Sequence, residues 1–79
     1  MTDAEIFGQR VRELREKSGL SQEKLAQASN LTTGFVSTVE SGKKTPSLTT
    51  VLKLALGLKM NAGELLSGFT FDVLRKLKL

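Results

Sequence analysis

The residues of this chain that are equipped for chemistry are equipped for binding rather than for making bonds. The 79-residue sequence has no cysteine and no histidine. That removes disulfides, zinc sites built on those ligands, and nucleophilic or general-base chemistry built on either side chain. No other catalytic constellation is visible, so the chain is expected to be no enzyme and to need no metal or cofactor. What remains is a run of small polar groups from Asn30 to Glu40, NLTTGFVSTVE, followed by Lys43 and Lys44. Inside that run Gly34 weakens a helix by about 1 kcal/mol relative to alanine, less in a first turn. Phe35 sets a large apolar ring beside it. A glycine there suits a backbone that another molecule approaches closely. Phe35 has two destinations open to it, that exposed surface or the core behind it.

Charge points in the same direction. The net charge is +4, and it is unevenly placed: residues 1 to 40 carry five Lys or Arg against six Asp or Glu, residues 41 to 79 seven against two. A basic second half favours anionic partners such as nucleic acid or membrane headgroups. No apolar run approaches the roughly 18 to 20 residues that span a bilayer, and no signal-peptide pattern opens the sequence. The expected setting is reduced and cytoplasmic.

The elements that must position these residues are helices. Phe7, Val11 and Leu14 share one face of a segment spanning 3 to 17, with Thr2 and Glu5, or Asp3 alone, as its cap. Gly19 fits a left-handed stop, and Ser21 caps a second helix from Gln22 to Ser29. Asn30 sits where a sharp turn needs positive φ. Thr32 then caps a third helix, Thr33 to Ser41. The turn cluster SGKKTP leads to Ser47 and a fourth helix through Leu58, weakened at its end by Gly57, and Asn61 with Glu64 opens a fifth, Ala62 to Ser67. The tail GFTFDVLRKLKL is open to either reading: Phe69, Phe71 and Val73 alternate as in a strand, whereas Leu74 and Leu77 have helical spacing.

Two short helices joined by a tight turn have the dimensions of a helix-turn-helix. Leu25, Ala26, Leu31, Val36 and Val39 would form its packing face. At this point the stretch RELREKSGLSQEKLAQASNLTTGFVSTVESGKKTPSLTTVLKLALGL resembles the Cro and lambda-repressor type, also called the xenobiotic-response-element-like family. LSQ before the second helix, LA within it, a VS..E pattern in the third and SGK..PS.. before the fourth occur in order at matching separations. The resemblance covers about residues 7 to 66. It implies an all-α domain of five helices, residues 1 to 68, that binds operator DNA as a symmetric dimer, followed by an extension at 69 to 79.

The resemblance also implies residue roles. Gln22 matches a glutamine that bonds a phosphate and braces the recognition helix, where free N–H groups help hold the anion. Thr32, Thr33, Gly34, Phe35, Ser37 and Thr38 stand where the family's third helix addresses bases or neighbouring phosphates, and Lys43 and Lys44 lie in a loop expected along the DNA backbone. Glu40 opposes the dipole at its helix end and needs a cation; the family pattern supplies Arg15. Arg10, Arg12, Lys53 and Lys59 are expected on solvated faces. The set Thr, Gly and Phe lacks the bidentate side chains that read purine edges, so readout through shape, water and methyl contacts is expected to be large.

The fourth helix is apolar almost all round and the tail adds more, so part of this surface should meet another chain. Leu52, Leu56, Phe69, Phe71, Leu74 and Leu77 are the expected dimer contacts, with the alternative that the tail covers its own core. The expected function is a dimeric, sequence-specific transcriptional regulator of the phage-repressor, restriction-modification controller or antitoxin kind, occupying a promoter or contacting RNA polymerase. Its rival is an interaction module that captures a toxin-like protein partner.

Overall fold

Side-chain oxygens start most of the helices, and left-handed residues stop the first four. The computed structural model describes all residues, 1–79, as six helices with no strand. They are α1 (Asp3–Lys17), α2 (Gln22–Ser29), α3 (Thr33–Glu40), α4 (Leu48–Gly57), α5 (Ala62–Leu65) and α6 (Phe71–Lys76). The hydroxyls of Thr2, Ser21, Thr32, Ser47 and Thr70 each accept a backbone N–H three residues on, which satisfies one of the donors that every helix start leaves free. In α1 the Glu5 carboxylate completes the box by accepting the Thr2 N–H at 2.8 Å. That bond, first of all, holds the Glu5 carboxyl below its ordinary value.

Helices α1 to α4 end alike. Gly19, Asn30, Gly42 and Lys59 have φ of 73, 55, 74 and 57°. The residue after each returns its N–H to the carbonyl five positions back: Leu20 to Arg15 at 3.0 Å, Leu31 to Ala26 at 2.9 Å, Lys43 to Thr38 at 3.3 Å and Met60 to Ala55 at 3.0 Å. This loop satisfies carbonyls that would otherwise be orphaned. Lys59 is the costly member, because its Cβ crowds the neighbouring carbonyl in that conformation.

The core draws Phe7 and Val11 from α1, Leu25 and Ala26 from α2, and Val36 and Val39 from α3. Val51, Leu54 and Ala55 of α4, with Leu58 and Leu65, complete it. α2 packs on both α3 and α4, and α1 packs on α3. Gly57, expected only as a weak point, is where α2 and α4 touch: a Cβ there would run into Ser29 Oγ and lie 3.1 Å from Leu25 Cδ1. Ser29 is 1% exposed and its Oγ has no hydrogen-bond partner. Ser29→Ala should therefore stabilise the fold by up to about 1 kcal/mol, since it removes a desolvated group that gains nothing. Gly57→Ala should instead cost about 1–3 kcal/mol through overpacking. Thermal denaturation of both variants checks this; a clear loss for Ser29→Ala would mean that its hydroxyl is engaged.

One open reading is resolved and one expectation changes. The extension adds a sixth helix, α6, so the helical spacing of Leu74 and Leu77 decides its form, with Thr70 as cap at 3.3 Å from the Val73 nitrogen. α6 has no fully buried residue, but Phe69 before it packs against the core, and Phe69, Leu74 and Leu77 line an open apolar groove with Phe7, Pro46 and Val51. Half-buried Phe69 and Leu77 thus cover their own domain in part. Arg10 is not on a solvated face either. Its Nη2 donates to the Glu64 carbonyl at 3.0 Å and to Ser67 Oγ at 3.1 Å, tying α1 to the end of α5. Carbonyls at a helix end lack intrahelical donors, and a guanidinium supplies them.

Candidate nucleic-acid interface

One carboxylate fixes the far end of α3. Glu40 Oε2 lies 2.6 Å from Arg15 Nε, and Glu40 Oε1 accepts from Arg15 Nη2 at 3.1 Å and from Gln22 Nε2 at 3.0 Å. Arg15 Nη1 donates to the Leu20 carbonyl at 2.8 Å. The two side chains are only 11% and 3% exposed, so the pair is a nearly desolvated fork against a carboxylate. The hydrogen bond to Glu40 raises the Arg15 pKa further above its already high value. α1, its following turn, the start of α2 and the end of α3 therefore meet at one acid.

Gln22 is accordingly committed on one side. A carboxylate only accepts, so the amide must turn its NH2 toward Glu40, which leaves one of its two N–H bonds for another acceptor. At this position a phosphate oxygen is the kind of acceptor that helix starts attract. The brace and the anion contact can share a single side chain.

The other end of α3 is open. Thr32 Oγ1 caps the helix by accepting the Phe35 N–H at 3.1 Å, Thr38 Oγ1 donates to the Gly34 carbonyl at 2.9 Å, and Ser41 Oγ donates to Thr38 O at 2.8 Å. The hydroxyls of Thr33 and Ser37 make no protein hydrogen bond; both residues are exposed and, four apart, share one face. A Cβ placed on Gly34 would meet nothing within 4 Å. No internal packing requires the glycine. Phe35 takes an intermediate course, half-buried with contact to the core. Lys44 Nζ stands 5.0 Å from its ring centroid. Lys43 and Lys44 are exposed. Thus Thr33, Gly34, Ser37, Lys43 and Lys44 are free to meet a partner, Gln22, Phe35 and Thr38 partly so, while the Thr32 hydroxyl caps α3 and Arg15 and Glu40 bind each other.

Sequence reasoning passed over Gly8. A Cβ there would run into the Val39 carbonyl oxygen and lie 3.0 Å from that of Glu40, so this glycine lets α1 and the last turn of α3 touch. The signal was available, since a glycine inside a fifteen-residue helix carries a helix penalty that something must justify.

The fold has known counterparts. The helix-turn-helix family model matches residues 11–65, which takes in α2, α3, α4 and α5 with their turns. The chain belongs to the helix-turn-helix family. Control protein C.MunI of a Mycoplasma species is 39% identical over 69 residues, covering 85% of this chain and 93% of that protein. The HTH-type transcriptional regulator PuuR of Escherichia coli (strain K12) is 37% identical over 60 residues, which is 76% of this chain and 32% of the regulator, so the chain spans about a third of that relative. Among solved structures, the restriction-modification controller protein C.AhdI from Aeromonas hydrophila superposes with a TM-score of 0.77 at 49% identity, covering 80% of this chain and 96% of that one. The controller protein C.Esp1396I superposes with a TM-score of 0.79 at 19% identity over 91% of this chain and 94% of its own, a likeness of fold alone. No helix of this family member is long and apolar enough to cross a membrane.

Proposed function

We propose that this protein is a sequence-specific DNA-binding transcriptional regulator, akin to restriction-modification controllers, that binds an inverted-repeat operator as a two-fold dimer. One observation carries the reading: α3 presents an opening turn with free hydroxyls at Thr33 and Ser37 and empty space before Gly34, while its other end is anchored by Arg15 and Glu40. A helix held firmly at its rear and bare at its front is suited to enter a major groove. Gln22, Lys43 and Lys44 then hold phosphates on either side. Leu48, Leu52 and Leu56, four apart on α4, are 73%, 49% and 73% exposed. That stripe, with Phe71 at 78%, supplies the apolar surface for a second copy. In such a dimer the two α3 helices lie about 34 Å apart, one turn of DNA, so the half-sites are spaced by about one turn.

Occupying a promoter would block transcription, and a dimer bound beside one would touch RNA polymerase. The test is a salt titration. With about five phosphate contacts, binding to random duplex should weaken with a log–log slope of about −4 to −5, and Lys43→Ala should lower that slope by about one for every sequence alike. Selection from random DNA should return an inverted repeat. A flat salt response, or a protein that stays monomeric while binding a single half-site tightly, would overturn the reading.

A further inference from the structure

We infer that Lys44 is a specificity-positioning residue: its ammonium holds the Phe35 ring, and so couples a phosphate contact to base discrimination at the mouth of α3. The inference rests on the DNA-binding reading above and goes beyond it by separating Lys44 from its neighbour Lys43. Phe35 contacts the core yet is only half-buried, and Lys44 Nζ stands 5.0 Å from the ring centroid. A cation at that distance is attracted by the electron-rich ring face.

The loop that carries Lys44 is fixed at its start. Gly42 adopts φ 74°, the Lys43 N–H closes onto the Thr38 carbonyl at 3.3 Å, and a Cβ on Gly42 would lie 2.7 Å from Glu5 Cγ and 2.8 Å from Glu5 Cα. The turn is pressed against α1. Ser47 then caps α4 by accepting the Thr50 N–H at 3.1 Å, which pins the loop's far end. Lys44 thus reaches the ring from a backbone held on both sides.

An ammonium has three N–H bonds and no acceptor. One side can face the ring while the others reach a phosphate oxygen, so a single group serves both. The phosphate then sets where the ring stands, and the ring sets which base edge it can press, with a thymine methyl as the apolar contact available in the major groove. Lys43 has no such ring beneath it and contributes charge alone.

Three measurements on the full chain test this. In the free protein, the Lys44 side-chain methylene protons should show ring-current shifts that vanish in Phe35→Leu. With DNA, preference for thymine over uracil at one position per half-site should fall about two- to five-fold in Lys44→Gln, the size of an exposed cation–ring attraction. Lys44→Arg should retain it. Lys43→Gln should weaken thymine and uracil operators equally. In the Phe35→Leu background, Lys44→Gln should cause no further loss of preference. Equal effects of Lys43→Gln and Lys44→Gln on preference, or a Lys44→Gln effect that persists without the ring, would overturn the inference while leaving DNA binding intact. A wild-type protein that binds no duplex would overturn the function and this inference together.

Discussion

Glu40→Ala is expected to be the most destabilising single change at the interface, with a loss of about 3–5 kcal/mol. Three donors converge on this carboxylate, Arg15 Nε, Arg15 Nη2 and Gln22 Nε2, and its side chain is 3% exposed. Truncation leaves the Arg15 guanidinium, 11% exposed, with only the Leu20 carbonyl at 2.8 Å. The cost comes from that stranded charge more than from lost attraction. Removing both partners should therefore be milder than removing one: Arg15→Met with Glu40→Met should be more stable than Glu40→Ala alone. Denaturant unfolding of the single and double variants measures the difference, and Glu40→Gln should also be clearly weakened because it exchanges a charged acceptor for a neutral one. A Glu40→Gln protein as stable as wild type would show that the fork contributes little.

The parts of the fold that local chemistry determines were legible in the sequence. Helix starts depend on a hydroxyl three residues from a free N–H, and Thr2, Ser21, Thr32 and Ser47 all act where their spacing places them. Asn30 and Gly19 stop helices because those residue types tolerate positive φ. Lys59 does the same without any such signal, since its conformation follows from packing Leu58 into the core on one side and closing Met60 onto Ala55 on the other. The tail resisted for a related reason: six residues bury little, so neither alternation nor helical spacing dominates until Thr70 supplies a cap. At the interface, the need of Glu40 for a cation could be argued from the helix dipole, and the resemblance named Arg15. The third bond, from Gln22, and the reach of Arg10 across to Glu64 depend on how helices cross, which spacing along one chain does not encode.

Two glycines, Gly8 and Gly34, divide stability from binding, and the substitutions that test them should move in opposite directions. Gly8→Ala should cost about 1–3 kcal/mol, because its methyl would be driven into the carbonyl oxygens of Val39 and Glu40. Those are backbone atoms in the last turn of α3, so no side chain can swing aside; relief requires α3 to slide on α1, which also disturbs the acid that anchors it. That cost is what remains after the gain of about 1 kcal/mol that alanine brings inside a helix. Gly34 has no neighbour within 4 Å of an added Cβ. Gly34→Ala should therefore leave folding unchanged or improve it by a few tenths of a kcal/mol up to about 1 kcal/mol. If DNA fills the space before it, Gly34→Gln should fold nearly as well as wild type yet bind operator at least about tenfold more weakly, a loss of about 1.4 kcal/mol. Melting curves and operator titrations on the same three proteins separate the cases. Undiminished operator binding by Gly34→Gln would mean that the opening turn of α3 does not lie against the groove, whatever the stability data show. A Gly8→Ala protein as stable as wild type would mean that the contact between α1 and α3 can yield.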